Sequence, residues 1–284
     1  MKTAAFASAL VLAAILSPVS SPAADAPKPL RALLLTGGCC HDYAKQKDIL
    51  KLGLEARANI VVDQVHTDDK STKPPLAILG NADYAKGYDI VIHDECAADV
   101  SDAEKIKAVL APHKAGIPGI NLHCAMHSYR IGNPGQATEP GSERAMWFDY
   151  LGLQSSGHGP QQPIAIKHLD KTHPVTKGME DWMTIREELY NNIKIRDTAT
   201  PLARGTQMLK QKDGTDKAVE YVVTWSNLYE GKTRVFSTTI GHNNETVSDG
   251  RYLDLITRGV LWATDKLDAE GKPKTGYGPK QAAK

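Results

Sequence analysis

Five apolar segments of the sequence each lead into a histidine, a side chain that moves protons near neutral pH and binds divalent metals. In parallel α/β sheets, ligands bind outside the carboxyl ends of the strands. If the five segments are parallel strands, their histidines therefore meet at one edge of the sheet and form a site. The segments are residues 31–36, 59–65, 88–92, 120–122 and 234–240, and the histidines are His41, His66, His93, His123 and His242.

The segment around His123 carries the densest set of reactive side chains. The apolar residues 120–122 are followed at once by His123, Cys124 and His127. We interpret this segment as a buried strand that turns sharply and delivers these side chains into a cleft. The alternative is an ordinary strand-to-helix turn with a buried cysteine, because free cysteine is among the most buried residue types.

Two adjacent glutamates, Glu187 and Glu188, lie in the segment 184–191. Such a pair usually lies on a solvated face. Here the neighbouring Ile185 and Leu189 favour the burial of one carboxyl group. Burial raises the pKa of a carboxyl group and suits it to acid–base catalysis, so one of the pair is a candidate acid or base.

Alternating strand and helix patterns predict a doubly wound α/β sheet with parallel pairing. Ser101, with Glu104 three residues later, predicts a capping box at the start of one helix. The predicted helices are residues 43–58, 76–84, 101–114, 142–151 and 252–264, and the further strands are residues 163–169 and 219–225.

The first 24 residues have the composition of a signal peptide, with Lys2, an apolar run over residues 4–16 and small residues over 21–24. We expect cleavage near Ala23 or Ala24 and an exported protein, periplasmic or secreted, that does not contact the membrane afterwards. The expected organisation is then a linker over residues 25–29, one domain over residues 30–267 and a disordered tail over residues 268–284, which is rich in Lys, Gly, Pro and Ala.

The charged residues give no argument for a nucleic-acid or membrane partner. The chain has 34 Lys plus Arg against 33 Asp plus Glu, without a long run of either sign. We therefore expect a small-molecule ligand, and no nucleotide cofactor.

The four cysteines, Cys39, Cys40, Cys96 and Cys124, all lie at or just after predicted strand ends. In an exported protein, cysteines predict disulfides. We expect Cys39 or Cys40 to pair with Cys96. A thiolate metal site is the alternative, although the spacing is not that of a zinc ribbon.

Several motifs, in this order, resemble the ThuA-like (trehalose utilisation) family over residues 30–267. They are G-G-C-C-H-D, L-H-C-A-M-H-S-Y-R, H-P-V-T-K-G, E-E-L-Y, V-V-T-W and R-V-F-S-T-T-I-G-H-N, followed by L-I-T-R-G-V-L-W-A. The resemblance implies a flavodoxin-like, class I glutamine-amidotransferase-like fold, with a mostly parallel sheet and helices on both faces. It also implies a role in the bacterial catabolism of trehalose-like disaccharides and their 3-keto derivatives. Cys124 stands where the family commonly has serine.

The resemblance and the strand-end positions together select the candidate site residues. His123, Glu188 and His242 match positions that the family is expected to preserve, and His41 matches its first-loop histidine. The catalytic candidates are His123, Cys124, Glu188 and His242. The candidate ligands for a divalent metal, for which we expect Zn²⁺, are His41, His123 and His242. The candidate substrate-binding residues are His41, Asp94, Glu95, His127, His158 and Asn243.

Three functions are compatible with these residues. The first is an exported enzyme, a lyase, isomerase or hydrolase, that acts on a keto-disaccharide or glycoside by acid–base or metal-assisted chemistry. The second is a hydrolase with Cys124 as nucleophile and His123 or His242 as base. The third is a non-catalytic carbohydrate-binding protein, in which Trp147, Tyr190 and Trp225 would stack on sugar rings.

Overall fold

The computed structural model describes residue 1 and residues 27–280. The predicted signal peptide, apart from residue 1, and the first part of the predicted linker lie outside the described residues. The described chain forms one nine-stranded sheet in the order β2-β1-β3-β4-β11-β10-β9-β6-β7, together with a two-stranded sheet of β5 and β8. The strands are β1 (Leu30–Gly38), β2 (Ile60–Thr67), β3 (Ile90–Cys96), β4 (Gly119–Leu122), β5 (Leu153–Gln154), β6 (His158–His168), β7 (Trp182–Tyr190), β8 (Lys194–Ile195), β9 (Ala199–Lys210), β10 (Asp216–Tyr229) and β11 (Thr233–Thr238).

Five helices complete the described part of the fold, with 3₁₀ turns at His123–His127 and Glu143–Ala145. None of the helices in the described ranges has the length and apolar character needed to cross a membrane. The helices are α1 (Tyr43–Glu55), α2 (Ala103–Ala115), α3 (Met146–Leu151), α4 (Asn244–Val247) and α5 (Gly250–Ala263).

The first half of the sheet is parallel. Strands β2, β1, β3, β4 and β11 pair in parallel in that order, which is the strand order of a flavodoxin-like fold. The predicted doubly wound α/β fold is therefore confirmed. Beyond β11, the strands β10, β9, β6 and β7 pair antiparallel, so the sheet as a whole is mixed.

Two apolar cores cover the two faces of the sheet, because successive side chains of a strand point to opposite faces. On β1, Leu34 packs with α1 and α5 residues on one face, whereas Leu35 packs with α2 and α3 residues on the other. This double burial explains why β1 reads as a continuous apolar run. It also fits the position of β1 inside the parallel half, between β2 and β3.

Two local predictions of helix structure are wrong. Residues 76–84 form turns, and Gly80 within them has φ of +84°, a left-handed conformation that a helix does not continue through. Helix α2 is capped by Asp102 rather than Ser101. The Asp102 carboxylate accepts hydrogen bonds from the backbone N–H groups of Glu104 (2.9 Å) and Lys105 (3.2 Å).

The predicted disorder of residues 268–284 is wrong for residues 268–280. Leu267 and Pro273 form a β-bridge, and the side-chain amide of Asn59 donates hydrogen bonds to the backbone carbonyls of Pro27 (3.1 Å) and Gly276 (3.0 Å). Tyr277 also packs against the apolar core. These contacts order a segment whose composition alone predicts disorder, and residues 281–284 lie outside the described part.

Candidate functional site

Three histidines converge at the carboxyl edge of the parallel strands. His41 follows β1, His123 follows β4 and His242 follows β11. The ring centroids of His41 and His123 are 4.6 Å apart, those of His41 and His242 are 4.8 Å apart, and those of His123 and His242 are 5.5 Å apart. One ring nitrogen of each histidine lies within 4.8 Å of the other two. Residues far apart in sequence thus form one cluster.

The other two strand-end histidines do not join this cluster. His66 hydrogen-bonds to Asp68 (3.1 Å) in a neighbouring loop. His93 is fully buried, and its Nε2 lies 3.0 Å from Nε2 of His113 on α2. Of the five histidines that follow the apolar segments, three therefore belong to the cluster.

Sharp backbone turns bring the three histidines together. His123 has φ of +42° and begins the 3₁₀ turn directly after β4, and Cys40, before His41, has φ of +83°. Gly241, before His242, has φ of +133°, and a Cβ atom there would lie 2.8 Å from the hydroxyl oxygen of Tyr252. Only glycine adopts this conformation freely and tolerates so close a neighbour.

The orientation of His123 is fixed by a backbone carbonyl. Its Nδ1–H donates to the carbonyl oxygen of Thr239 at 2.6 Å. In a neutral imidazole, the other nitrogen, Nε2, then carries the lone pair. Nε2 points into the cluster, 3.4 Å from Oε2 of Glu188 and 3.4 Å from the hydroxyl oxygen of Tyr190. This is the arrangement of a metal-binding histidine whose second nitrogen is held by an outer hydrogen bond.

The Glu188 carboxylate lies among three histidines. Its Oε1 is 3.3 Å from Nδ1 of His242, and its Oε2 is 3.4 Å from Nε2 of His123 and 3.5 Å from Nε2 of His158. Burial raises the pKa of Glu188, but the close contacts with His123 and His242 outweigh burial and lower it. The expectation of a raised pKa is therefore wrong for this glutamate, which is ionised at neutral pH. The Glu188 carboxylate in turn raises the pKa of His242.

His41 is neutral, and its Nδ1 is buried inside the protein. Burial, and then the neighbouring His123 and His242, lower the pKa of His41 to about 2. Its Nδ1 is buried without a hydrogen-bond partner among the described residues. An unpaired buried nitrogen of this kind costs free energy unless a ligand occupies it.

The dimensions of the cluster fit a divalent cation. Nitrogen and oxygen ligands about 2.0–2.1 Å from a tetrahedral Zn²⁺ are about 3.3 Å from one another. The separations of the Glu188 carboxylate from His123 and His242 are 3.4 and 3.3 Å. The three histidine nitrogens lie within 4.8 Å of one another, and Nδ1 of His41 is unpaired among the described residues, so the donor set is of a size compatible with such an ion. His41, His123 and His242 would be the ligands, with Glu188 beside them.

The neighbouring Glu187 is fully buried and stabilises the loop that carries His242. Its carboxylate oxygens accept hydrogen bonds from the backbone N–H groups of Gly241 (3.4 Å), His242 (3.1 and 3.0 Å) and Asn243 (3.4 Å). The adjacent β7 residues Glu187 and Glu188 thus make different contacts, because their side chains leave the strand on opposite sides. Glu187 accepts hydrogen bonds from the backbone of the loop after β11, and Glu188 lies beside the His242 side chain of that loop.

A second group of rings flanks the cluster. His127 and His158 stack on the Tyr190 ring, with centroid distances of 4.2 and 5.4 Å. His127 and Tyr190 are buried, whereas His158 is exposed. Burial lowers the pKa of His127. Of these, only His158 combines exposure with contact to Glu188, and it is therefore well placed to meet a ligand.

Two predicted substrate-binding carboxylates are placed away from solvent. The Glu95 side chain is fully buried and accepts hydrogen bonds from Tyr129 (2.7 Å) and pairs with His93 (2.7 Å). Asp94 is 6% exposed, and burial raises its pKa well above the usual value. This burial does not support their assignment to substrate binding, which stays a prediction. Asn243 is half-buried, and its side-chain amide donates to the backbone carbonyl of Arg186.

The cysteine pairing also differs from the expectation. Cys39 is bonded to Cys40, and Cys96 is bonded to Cys124. The prediction that Cys39 or Cys40 pairs with Cys96 is wrong for this structure. A disulfide-bonded sulfur carries no thiolate, so the role of Cys124 as a nucleophile is contradicted in this state as well.

The proposed aromatic platform is not formed. Trp147 and Trp225 are 1% and 0% exposed, and both indole N–H groups are satisfied by backbone carbonyls, of Ala125 and Leu151. These two residues belong to the core beside α3. Stacking of a sugar on them is therefore excluded in this structure.

An open cleft of about 510 Å³ leads to His41 and His242. Clefts of roughly 300–1,000 Å³ are typical of small-molecule sites. Its walls come from the loops after β1, β2 and β11 and are mostly polar, which suits a ligand rich in hydroxyl groups. The lining residues are Gly38, Cys40–Ala44, His66–Lys70 and His242–Glu245.

Two contributors to the site were not identified from the sequence. The Thr239 carbonyl is a backbone group and leaves no side-chain signal. The sequence indicates Tyr190 only as a stacking residue, although its hydroxyl oxygen lies beside Nε2 of His123. The position of Tyr190 two residues after Glu188 on one strand is the signal that could have placed both on the same face.

The fold and the cluster define a flavodoxin-like α/β protein with a three-histidine and carboxylate site at the carboxyl edge of its sheet. A family model described as ThuA, trehalose utilisation, matches residues 31–263. The chain therefore belongs to the ThuA family, as its motifs predict, and the family supports a role in sugar catabolism.

Solved structures of ThuA-like proteins share this fold. One from Parabacteroides merdae ATCC 43184 has 20% identity and a TM-score of 0.60, with 89% of this chain and 98% of that chain covered. Another from Bacteroides uniformis ATCC 8492 has 18% identity and a TM-score of 0.56, with 87% and 95% covered. No curated protein matches the chain.

Proposed function

We propose that this protein is an exported enzyme of sugar catabolism that acts on a keto-disaccharide or related glycoside with the help of a divalent cation. The observation that carries the proposal is the convergence of His41, His123 and His242, with the Glu188 carboxylate 3.3–3.4 Å from two of them. Histidines from separate strand ends with an adjacent carboxylate are typical of catalytic metal sites, which keep a position open for substrate. Export is part of the proposal and rests on the composition of residues 1–24.

The cation would supply Lewis-acid polarisation of a carbonyl oxygen. A ketone acidifies the neighbouring C–H bond, so a base beside the polarised carbonyl can remove that proton. Glu188 is ionised at neutral pH, because the close contacts with His123 and His242 overcome the effect of burial and lower its pKa. It is thus in the protonation state that a base requires.

The histidine on the open side of Glu188 offers a route for the proton. His158 Nε2 lies 3.5 Å from Oε2 of Glu188, and the His158 side chain is 40% exposed. A proton taken by Glu188 can pass to this ring and from there to solvent. The same pair can return a proton to a leaving group or to the neighbouring carbon, which covers isomerisation and elimination.

The test offers the purified protein trehalose and its 3-keto derivative, with and without added Zn²⁺, and follows products by chromatography and mass spectrometry. We expect turnover of the keto-sugar that Glu188→Gln lowers by about 10²–10⁴-fold, the usual contribution of an acid–base group. Glu180→Gln is the matched control, because Glu180 is exposed and outside the site. Saturable binding of the sugar without any product, with or without metal, would contradict the enzyme and favour the non-catalytic carbohydrate-binding function.

A further inference from the structure

The four cysteines form one sulfur cluster beside the histidines. Cys39 and Cys40 follow β1, Cys96 ends β3, and Cys124 follows β4. Two disulfides, Cys39–Cys40 and Cys96–Cys124, lie in contact, with Sγ of Cys39 only 3.4 Å from Sγ of Cys96. Reduction of the first disulfide would therefore leave the Cys39 thiolate in van der Waals contact with a sulfur of the second.

A glycine makes this contact possible. Gly38 pairs with Cys96 across β1 and β3 and has φ of +102°. A Cβ atom at position 38 would collide with the backbone carbonyl of Cys96. The close approach of the two backbones therefore needs glycine, and it places the next residue, Cys39, over Cys96.

Access to the four sulfurs differs. Cys40 is exposed and lines the cleft, and Cys39 is half-buried. Cys96 and Cys124 are 2% and 6% exposed. Thiol–disulfide exchange requires direct attack of a thiolate on a disulfide sulfur. An external thiol thus reaches the first disulfide, whereas the buried one is reached through Cys39.

We propose that the four cysteines form a thiol–disulfide exchange relay that accepts two electrons from an external dithiol. A thiolate of the dithiol attacks Sγ of Cys40, the Cys39–Cys40 bond breaks, and its electron pair leaves on Cys39. The second thiol of the dithiol then resolves the mixed disulfide, which releases the Cys40 thiol and the oxidised reductant.

The second stage transfers the reduction inward. The Cys39 thiolate attacks Sγ of Cys96, a Cys39–Cys96 bond forms, and the Cys96–Cys124 bond breaks with its electron pair on Cys124, which takes up a proton. In total, the dithiol loses two electrons and two protons. The chain then has one disulfide, Cys39–Cys96, and two thiols, Cys40 and Cys124.

The two new thiols are next to histidines of the cluster in the sequence, because Cys40 directly precedes His41 and Cys124 directly follows His123. Their rings are 4.6 Å apart in the histidine cluster. Exchange moves a cross-link from within the first loop to a bond between that loop and β3. The relay therefore connects the redox state of the cysteines with the backbone that carries two of the three histidines.

The decisive test uses Cys40→Ser, which leaves Cys39 without its bonded partner. The variant is purified with a chelator, alkylated while native and mapped by mass spectrometry without reduction. We expect a Cys39–Cys96 disulfide, with alkylation of Cys124 rising from background to near completion. A free Cys39 with Cys96–Cys124 intact would overturn the proposal. The matched variant Cys39→Ser should keep Cys96–Cys124, and a Cys40–Cys96 bond in it would overturn the role of Cys39.

The wild-type protein gives an independent test if either variant does not fold. The native protein receives one equivalent of dithiothreitol, is quenched by acid and is then mapped. We expect the first two thiols at Cys40 and Cys124, in molecules that contain Cys39–Cys96. Thiols at Cys39 and Cys40 with the buried disulfide retained, or resistance of all four cysteines to the dithiol, would overturn the proposal.

Discussion

Both carboxylate oxygens of Glu187 accept a hydrogen bond from the backbone N–H of His242, at 3.1 and 3.0 Å. Strand β7 is last in the order of the sheet, yet it contacts the loop after β11. The antiparallel half of the sheet must therefore curl back over the carboxyl edge of the parallel half. This return places Glu188 beside His242 and His123, and it completes a site that the parallel strands alone would leave open.

Glu187→Gln should lower the stability and the metal affinity of the protein, although Glu187 is not one of the proposed metal ligands. The substitution replaces one acceptor oxygen by an N–H₂ donor that faces backbone N–H groups, so hydrogen bonds to a buried charge are lost. We expect a loss of about 1–3 kcal/mol in the free energy of unfolding, and metal affinity lower by about 10–100-fold. Chemical denaturation and metal titration measure the two effects. Unchanged metal affinity would show that Glu187 does not position His242, and Glu180→Gln controls for loss of a surface charge.

The stability of the protein should fall as the pH drops below the usual pKa of histidine. Burial, and then the neighbouring His93, lower the pKa of His113 from 6.5 to about 3. Between these pH values the unfolded chain binds a proton at this histidine that the folded chain does not. The free energy of unfolding therefore falls by up to about 1.4 kcal/mol for each pH unit of acidification from this group. The contribution of neutral His113 is thus fully present above pH 6.5 and is lost as the pH falls towards 3.

The comparison of wild type with His113→Gln isolates this contribution. Denaturant titrations at about pH 7.5 and about pH 5 give the difference in the free energy of unfolding at each pH. We expect the wild type to lose more stability than the variant on acidification, so the difference between them shrinks by about 2 kcal/mol. A difference that stays constant with pH would contradict the lowered pKa of His113.

Gly119→Ala should destabilise the centre of the sheet. Gly119 lies on β4 between β3 and β11, and a Cβ atom there would collide with the hydroxyl oxygen of Tyr150. Overpacking of this kind typically costs about 1–3 kcal/mol. Addition of Tyr150→Phe removes the oxygen and should restore part of the loss, as measured by denaturant titration. A Gly119→Ala protein as stable as wild type would show that the α3 residue Tyr150 can move aside.

The sequence predicts the parallel half of the fold well. Its strands are buried on both faces, so β1 and β3 read as apolar runs, and the polar residues after them mark the carboxyl edge. The histidines His41, His123 and His242 are predicted to converge for that reason. The same argument fails for His93 and Glu95, because they still belong to β3, before the chain leaves the sheet.

The rest depends on tertiary contacts that leave no local pattern. The exposure of successive β9 residues alternates too irregularly for the sequence to predict a strand there. Strand β7 is marked in the sequence only by its pair of glutamates. The curl that brings β7 to the site is a property of the whole sheet. The choice among four cysteines likewise depends on distances between three strand ends, which spacing in the sequence does not give.

The most direct test of the histidine site is its metal content. The protein is purified without a histidine tag, kept oxidised so that both disulfides are intact, incubated with Zn²⁺, desalted and analysed for metal. We predict about one equivalent of zinc per chain, lost in folded His41→Ala, His123→Ala and His242→Ala. His173→Ala should retain the metal, because His173 packs on Trp262 outside the site. A wild-type protein that binds no divalent metal, or variants that retain it, would contradict the metal-assisted function.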